Sequence, residues 1–113
     1  MTHHRLVHLR VRNHLVAVIL DGHGHSAPLP SVRVLAGELQ ANPLTVAKAY
    51  QSLLDDGIVY AKRGVGFFVS DGGTGRLSSA EKARFLSHEW PRIRGDMERL
   101  HLDVQQLVAN AIR

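Results

Sequence analysis

The feature that constrains this chain most is a pair of helix-start signals only eleven residues apart, at Ser31 and Asn42. Ser31 follows a proline, and Asn42 precedes one. Serine or asparagine just before a helix accepts a hydrogen bond from the first N–H groups, and proline at the first helical position costs no hydrogen bond. We therefore expect a short helix over residues 31–40 and a second helix that begins at Pro43. Two helices this close together require a tight connection.

Each of these predicted helices has one apolar face. Apolar side chains that recur every three or four residues share a face of an α-helix. In the first helix they are Val32, Leu35, Ala36 and Leu39. In the second helix, which Gly57 ends, they are Val46, Ala49, Tyr50 and Leu53. The opposite faces are expected to point outward, with Arg33, Val34, Gly37 and Glu38 on the first helix and Leu44, Ala47, Lys48 and Gln51 on the second.

A further helix is predicted before this pair, and a β-hairpin after it. Apolar residues between Leu6 and Leu20 approximate a helical stripe, and two prolines and two glycines make residues 22–30 a loop. Residues 58–62 and 67–69 are β-branched and aromatic runs around the glycine-bearing connection 63–66. The order helix, helix, tight turn, helix, hairpin describes a mainly α winged helix-turn-helix domain, whose third helix can enter the major groove of DNA.

The last third of the chain has a different pattern. Asp71-Gly72-Gly73-Thr74-Gly75 combines three glycines with no apolar side chain, so we interpret it as part of a linker. Ser78 and Glu81 have the spacing of a capping box, which predicts a helix start at about Ser79. The chain is thus predicted to divide into a winged helix-turn-helix domain at 1–71, a linker at 72–77 and a short C-terminal helical dimerisation segment at 78–113.

The predicted C-terminal helices carry an apolar stripe that needs a cover. Its members alternate in spacings of three and four: Ala83, Leu86, Trp90, Ile93, Met97, Leu100, Val104, Leu107 and Ala111. Pro91 interrupts an α-helix and Asp103 can cap a new one, so we expect a helical pair or kinked hairpin and not one straight coiled coil. The simplest way to bury this stripe is against a second copy of the chain. The predicted dimerisation residues are then Leu86, Trp90, Ile93, Met97, Leu100, Val104 and Leu107. Packing on the winged domain of the same chain is the alternative.

Composition excludes several classes of protein. At 113 residues and 12.5 kDa the chain is too short for a large multidomain enzyme, and its longest apolar run, residues 15–20, is too short to span a membrane. The absence of cysteine excludes disulfides and thiolate chemistry, and the absence of a secretion signal favours the cytoplasm. The net charge is +4, of which +3 falls in residues 1–70 (7 basic and 4 acidic side chains), which suits an anionic partner. The sequence has no nucleophile motif, phosphate-binding loop or paired-carboxylate site, so neither an enzyme nor a cofactor is expected.

Four ordered blocks resemble one known family. They are Leu29-Pro30-Ser31-Val32-Arg33-Val34-Leu35-Ala36, Asn42-Pro43-Leu44-Thr45-Val46-Ala47-Lys48-Ala49-Tyr50, Asp56-Gly57-Ile58-Val59 and Arg63-Gly64-Val65-Gly66-Phe67-Phe68-Val69. In residues and spacing they are similar to the DNA-binding domain of GntR-type bacterial transcription regulators. The short remainder resembles the YtrA-like group, which ends in a short helical dimerisation segment. The resemblance implies a homodimeric repressor that binds double-stranded DNA at a palindromic operator, and it leaves open whether a small-molecule effector controls it.

The first candidate DNA contacts lie on the two short helices. Arg33 occupies the family's arginine position and can donate a two-pronged hydrogen bond to phosphate or guanine. The alternative is a surface salt bridge to Glu38 or Asp55. Thr45, in the first turn of the recognition helix, offers a hydroxyl to a phosphate or, alternatively, a capping bond to Asn42.

Further candidates come from the recognition helix and the wing. Lys48 can reach a base acceptor or a phosphate, although a solvated lysine is the alternative. Leu44 and Ala47 offer apolar contact to a thymine methyl group, and Leu44 stands where the family often has a polar residue. The wing is expected to meet backbone phosphates and the minor groove through Lys62, Arg63 and Gly64. Arg10, near the first helix, is interpreted as a solvated charge.

Two other functions stay open. Histidines are frequent near the start of the chain, at His3, His4, His8, His23 and His25. Because His4 and His8 lie one helical turn apart, a metal-responsive regulator is one alternative, although a solvated histidine-rich loop is the simpler interpretation and no metal ligand is assigned. The other is a protein-interaction module that uses an apolar wing surface, in which Tyr60 and Phe67 form a cross-strand pair or a small exposed patch beside Val65.

Overall fold

The two helices predicted from the start signals form where expected. The structure, a computed structural model, describes residues 2–111, and it describes side chains from residue 7 onward. Helix α2 spans Val32–Leu39, and α3 spans Pro43–Asp55. The Ser31 hydroxyl accepts a hydrogen bond from the N–H of Val34 at 3.1 Å, and Asn42 Oδ1 accepts one from the N–H of Leu44 at 2.8 Å. Each cap therefore fixes a helix start.

The predicted glycine stops α3: the helix ends at Asp55, and Gly57 makes the turn two residues later. Gly57 has a left-handed conformation (φ 71°) that glycine adopts without steric cost. Its N–H donates to the carbonyl of Leu54, and the N–H of Ile58 donates to the carbonyl of Leu53, both at 3.0 Å. These two bonds are the Schellman arrangement, which satisfies carbonyls that a helix end otherwise leaves free. The turn directs the chain out of α3 and into the hairpin.

Helix α1, Thr2–Leu20, supplies a large part of the core. Its side chains Val11, Leu15 and Ile19 are completely buried. The predicted apolar stripe of α3 is buried as well, and Leu35 and Ala36 of α2 complete the contact between the helices. These elements belong to one compact unit, Met1–Ser78.

The predicted hairpin consists of β1, Val59–Lys62, and β2, Gly66–Val69, which pair antiparallel. Tyr60 lies opposite Phe68, and Ala61 lies opposite Phe67. The loop before α2 runs beside β2, since the N–H of Leu29 donates to the carbonyl of Phe67 and the N–H of Val69 donates to the carbonyl of Gly24, both at 2.8 Å. The wing is therefore held to the loop that leads into α2.

The predicted glycine linker is wrong over most of its length, because helix α4 spans Gly73–Arg84. A Cβ atom at Gly73 would collide with the carbonyl oxygen of Ile58, so glycine permits a close backbone approach there. Leu77 is 2% exposed and belongs to the core. The expected helix start at about Ser79 is wrong for the same reason: the helix has begun six residues earlier.

The compact unit Ser79–Arg113 contains a π-helical turn at Phe85–Glu89, helix α5 at Trp90–Arg99 and helix α6 at Val104–Ala111. The π-helical turn ends two residues before Pro91, and a proline disturbs the regular α-helical hydrogen bonds of the turn that precedes it. The N–H of Gln106 donates to the Asp103 carboxylate, and the N–H of Asp103 donates to the Gln106 side chain, both at 2.8 Å, so Asp103 caps α6 as predicted. The interrupted helix is confirmed, and the apolar stripe therefore does not follow one continuous helix. Within residues 2–111, no helix combines the length and apolar character needed to cross a bilayer.

Candidate nucleic-acid interface

The outward face of α3 carries three of the predicted contacts. Leu44, in the first turn, is 61% exposed, and Lys48, one turn later, is also exposed. Ala47 is half-buried between them. Val46 and Tyr50 lie on the opposite, buried face. The first two turns of α3 therefore have one solvent-exposed side, and that side can reach a nucleic-acid groove.

Thr45 does not belong to this exposed face, and its role as a DNA contact stays a prediction that its burial does not favour. It is 5% exposed and lies among the buried residues of α3. The buried stripe is one residue wider than predicted, because position 45 lies one turn before Ala49 on the same side of the helix. The alternative role as the partner of Asn42 is not supported either, since Asn42 Oδ1 accepts from the N–H of Leu44.

Arg33 is exposed near the start of α2, as predicted. Among the described residues, it forms no ion pair with Glu38 or Asp55, and Asp55 instead accepts a 2.8 Å hydrogen bond from the Gln51 side chain. Its guanidinium is therefore available for an external anion. Arginine is well suited to such a contact because its planar group donates two parallel hydrogen bonds.

The tip of the wing presents two cations and a glycine. Lys62 and Arg63 are exposed, and Gly64 is exposed with a left-handed φ of 77°. The N–H of Val65 donates to the carbonyl of Lys62 at 3.0 Å and closes the turn. Lys62 Nζ lies 6.0 Å from the centre of the Phe68 ring, at the outer range of a cation–π contact. The turn therefore places the two positive charges next to an open stretch of backbone.

The predicted apolar wing surface is divided between two faces of the hairpin. Tyr60 stacks on Phe68, with ring centroids 5.9 Å apart, and is 47% exposed. Phe67 points to the other face, is half-buried and stacks on Tyr50 at 4.2 Å. The expected pairing of Tyr60 with Phe67 is wrong because these residues are not opposite one another in the register. A single surface made of Tyr60, Val65 and Phe67 is therefore not available to a protein partner.

Two polar contacts that support the interface were not anticipated. Arg10 donates to the carbonyl of Leu39 at 2.6 Å, so it satisfies the end of α2 and is not only a solvated charge. Arg76 donates to the carbonyls of Gly57 and Asp71 at 2.6 Å and 3.2 Å and ties the end of α3 to the start of α4. The bonds from Arg10 to Leu39 and from Arg76 to Gly57 join residues 29 and 19 positions apart, which local sequence patterns do not reveal.

A cleft of about 470 Å³ lies between α1, the following loop and α2. It is lined by His14, His23 and Glu38 together with apolar residues, among them Leu29 and Val34. In the part of the chain that the structure describes, no three histidine or acidic side chains lie close enough together to hold a metal ion. The side chains of His3 and His4, which the metal hypothesis also invoked, lie outside the described residues.

The unit at residues 79–113 exposes much of its predicted apolar stripe. Leu86, Leu100, Val104 and Leu107 are 40–67% exposed, and Trp90 and Ile93 are half-buried. Met97 is 8% exposed and is already covered within the single chain, so it does not belong to the exposed surface, and its role in dimerisation stays a prediction. The stripe prediction also missed two residues that are about half exposed, Phe85 and Val108. Val108 follows Val104 by four residues, so helical spacing in α6 could have identified it.

Comparison with known proteins agrees with this geometry. The family of bacterial regulatory proteins named gntR matches residues 8–69. The transcriptional repressor YtrA of Bacillus subtilis (strain 168) is 51% identical over 43 residues, which cover 38% of this chain and 33% of that protein. The matching segment thus spans about a third of the length of that curated relative.

Solved structures extend the likeness to most of the chain. A GntR family transcriptional regulator from Listeria monocytogenes superposes with a TM-score of 0.66 at 22% identity, covering 93% of this chain and 91% of the other. A transcriptional regulator of the same family from Bacteroides thetaiotaomicron gives 0.63 at 27% identity, with 93% of each chain covered. The mainly α winged-helix fold with C-terminal helices is therefore confirmed, and the family and its structural neighbours are transcriptional regulators, not enzymes.

Proposed function

Because this chain belongs to the gntR family of bacterial regulatory proteins and is thus a DNA-binding transcriptional regulator, we propose that it acts as a homodimeric repressor on a palindromic operator. The observation that carries the proposal is the orientation of α3. Leu44 and Lys48 are exposed on one side, while Val46, Ala49 and Tyr50 anchor the other side in the core. A helix anchored in this way can enter a major groove without loss of the fold.

The exposed residues divide into two groups by their chemistry. Lys48 can donate to base acceptors, and Leu44 and Ala47 can contact a thymine methyl group, so these three residues read sequence. Phosphate contacts belong to Lys62 and Arg63, whose charges have no directional preference among bases. Arg33 reaches a phosphate or a guanine next to the recognition helix, and Gly64 lets the wing backbone approach the minor groove.

The homodimer rests on the apolar side chains exposed in residues 79–113. The surface comprises Leu86, Leu100, Val104 and Leu107 with parts of Trp90 and Ile93. Several large apolar side chains exposed within one short segment are stabilised when a second copy of the chain covers them. A two-fold dimer presents two recognition helices about 34 Å apart, which fits half-sites separated by one helical turn of DNA.

Selection from a random duplex library tests the proposal. The full chain is expected to enrich a two-fold symmetric consensus with half-sites about 10 base pairs apart. Lys48→Ala is expected to flatten one position of each half-site, whereas Lys82→Ala, an exposed lysine of α4, serves as the control and leaves the consensus unchanged. Enrichment of no sequence, or of an asymmetric one, would contradict the homodimeric operator-binding function.

A further inference from the structure

Tyr50 makes contacts that its role in the core does not require. The residue is 1% exposed and lies in the middle of α3. Its hydroxyl donates a hydrogen bond to the carbonyl of Pro30, in the segment that leads into α2. Pro30 directly precedes Ser31, the residue that caps α2. One side chain thus connects the recognition helix to the start of the neighbouring helix.

The ring of Tyr50 makes a second long-range contact, with the wing. It stacks on Phe67 of β2, with centroids 4.2 Å apart and planes 13° from parallel. The carbonyl of Phe67 in turn accepts the N–H of Leu29 at 2.8 Å. The three contacts form a closed circuit from α3 to β2, from β2 to Leu29-Pro30, and from Pro30 back to α3. Such a circuit fixes the relative positions of three elements that carry proposed DNA contacts.

The hydroxyl of Tyr50 is the part of the side chain that the core does not need. Phenylalanine would bury the same ring, whereas a buried hydroxyl loses its hydrogen bonds to water and needs a partner within the protein. Burial raises the pKa of Tyr50, so the hydroxyl remains a donor throughout the ordinary pH range. A directional bond to one carbonyl restrains position in a way that apolar packing does not.

We propose that Tyr50 is a positioning residue for DNA recognition: through its hydroxyl and ring it sets the start of α2, with Arg33, and the wing, with Arg63, relative to α3. The inference rests on the proposed DNA contacts of those two arginines. Arg33 lies only three residues after Pro30, so a shift of the Pro30 carbonyl moves the first turn of α2. Contacts to DNA tolerate little displacement, because hydrogen bonds weaken steeply with poor distance and angle.

Two double-mutant cycles in DNA binding test the inference, with the selected consensus duplex as the probe. One combines Tyr50→Phe with Arg33→Ala, and the other combines Tyr50→Phe with Arg63→Ala. Tyr50→Phe is expected to weaken binding by up to about fivefold, because a restraint worth one hydrogen bond sets the largest loss that misplacement can cause. Removal of either arginine is then expected to weaken binding by a factor about threefold smaller in the Tyr50→Phe background than in the parent, because a misplaced arginine contributes less to DNA affinity. Tyr60→Phe, which removes the hydroxyl of the exposed wing tyrosine, is the control and leaves binding unchanged.

The outcomes separate this inference from the proposed function. If Arg33→Ala and Arg63→Ala each weaken binding but both cycles are additive, Tyr50 only supports the fold and the inference is overturned. If one arginine has no effect alone, its proposed DNA contact fails, and the other cycle decides the inference. If neither arginine matters for binding, the proposed contacts and the inference fall together.

Binding is compared at a temperature where circular dichroism shows each variant folded. If Tyr50→Phe unfolds, Phe67→Leu replaces it, and the cycle with Arg63→Ala is expected to lose additivity in the same way.

Discussion

At the scale of single residues, position and not exposure distinguishes the basic side chains of the winged domain, because Lys48 and Arg63 are both exposed. Lys48 stands on the exposed side of α3, while Arg63 stands at the tip of the wing hairpin. Both are single positive charges on the surface, so their contributions to total affinity can be similar. In the proposed complex with DNA, their positions differ in what they reach: base edges for the first residue and backbone phosphates for the second.

This difference predicts distinct phenotypes. Lys48→Ala is expected to cost about 1–3 kcal/mol on the preferred duplex and much less on a scrambled one, so sequence preference relaxes. Arg63→Ala is expected to weaken both duplexes alike and to lower the slope of log affinity against log salt by about 1. Fluorescence anisotropy on both duplexes from 50 to about 300 mM salt measures both quantities. Identical preference ratios and salt slopes for the two variants would contradict the assignment.

Single residues also mark where the sequence could not predict the site. Arg33, Leu44 and Lys48 follow from helical spacing, because one face of a short helix must be buried and the other is left outside. Thr45 lies at the border between the faces, where spacing alone does not decide burial. The hydroxyl bond from Tyr50 to Pro30 joins residues 20 positions apart, and only the packed structure brings them together.

At the scale of elements, local chemistry predicted the winged domain well. Caps at Ser31 and Asn42, the stop at Gly57 and the hairpin turn all act within a few residues, so each is readable without knowledge of the packing. The glycines at 72–75 show the converse. In an isolated chain glycine makes the backbone flexible, whereas in a packed chain it allows another segment of backbone to approach closely. Gly73 is the second case, because the carbonyl of Ile58 lies against it.

The caps give a stability prediction. Asn42→Ala removes the acceptor for the Leu44 N–H and is expected to lower the free energy of unfolding by about 1 kcal/mol. Asn13→Ala, an exposed change inside α1, is the matched control and is expected to leave stability the same or slightly higher, because alanine favours helix interiors. Urea unfolding followed by circular dichroism measures both variants. Equal urea midpoints for Asn42→Ala and the parent would show that the cap of α3 contributes nothing to stability.

At the scale of the whole molecule, the proposed homodimer accounts for how a chain of 12.5 kDa binds an operator with high affinity. One winged domain presents a single α3 and one wing tip, and it offers few contacts to a duplex. Two linked domains bind their half-sites together, so the second binding event occurs at a high effective concentration. Dimerisation through residues 79–113 would therefore decide operator affinity, although none of these residues touches DNA in the proposed arrangement.

The exposed start of α6 allows this dependence to be tested. Val104→Asp places a charge on the proposed dimer surface, where Val104 is 58% exposed. An acidic residue in the first turn suits the helix dipole, so α6 itself should remain folded. We expect the variant to be a monomer of 12.5 kDa by light scattering, and not twice that mass. It is expected to bind the consensus duplex at least about a hundredfold more weakly, because the second half-site is lost.

Gln105→Asp is the control: it adds the same charge at the next position, about 100° round the helix, and should remain dimeric with normal affinity. A dimeric Val104→Asp variant with full affinity would show that the copies associate through another surface, whereas a monomeric variant with full affinity would show that the protein binds its operator alone.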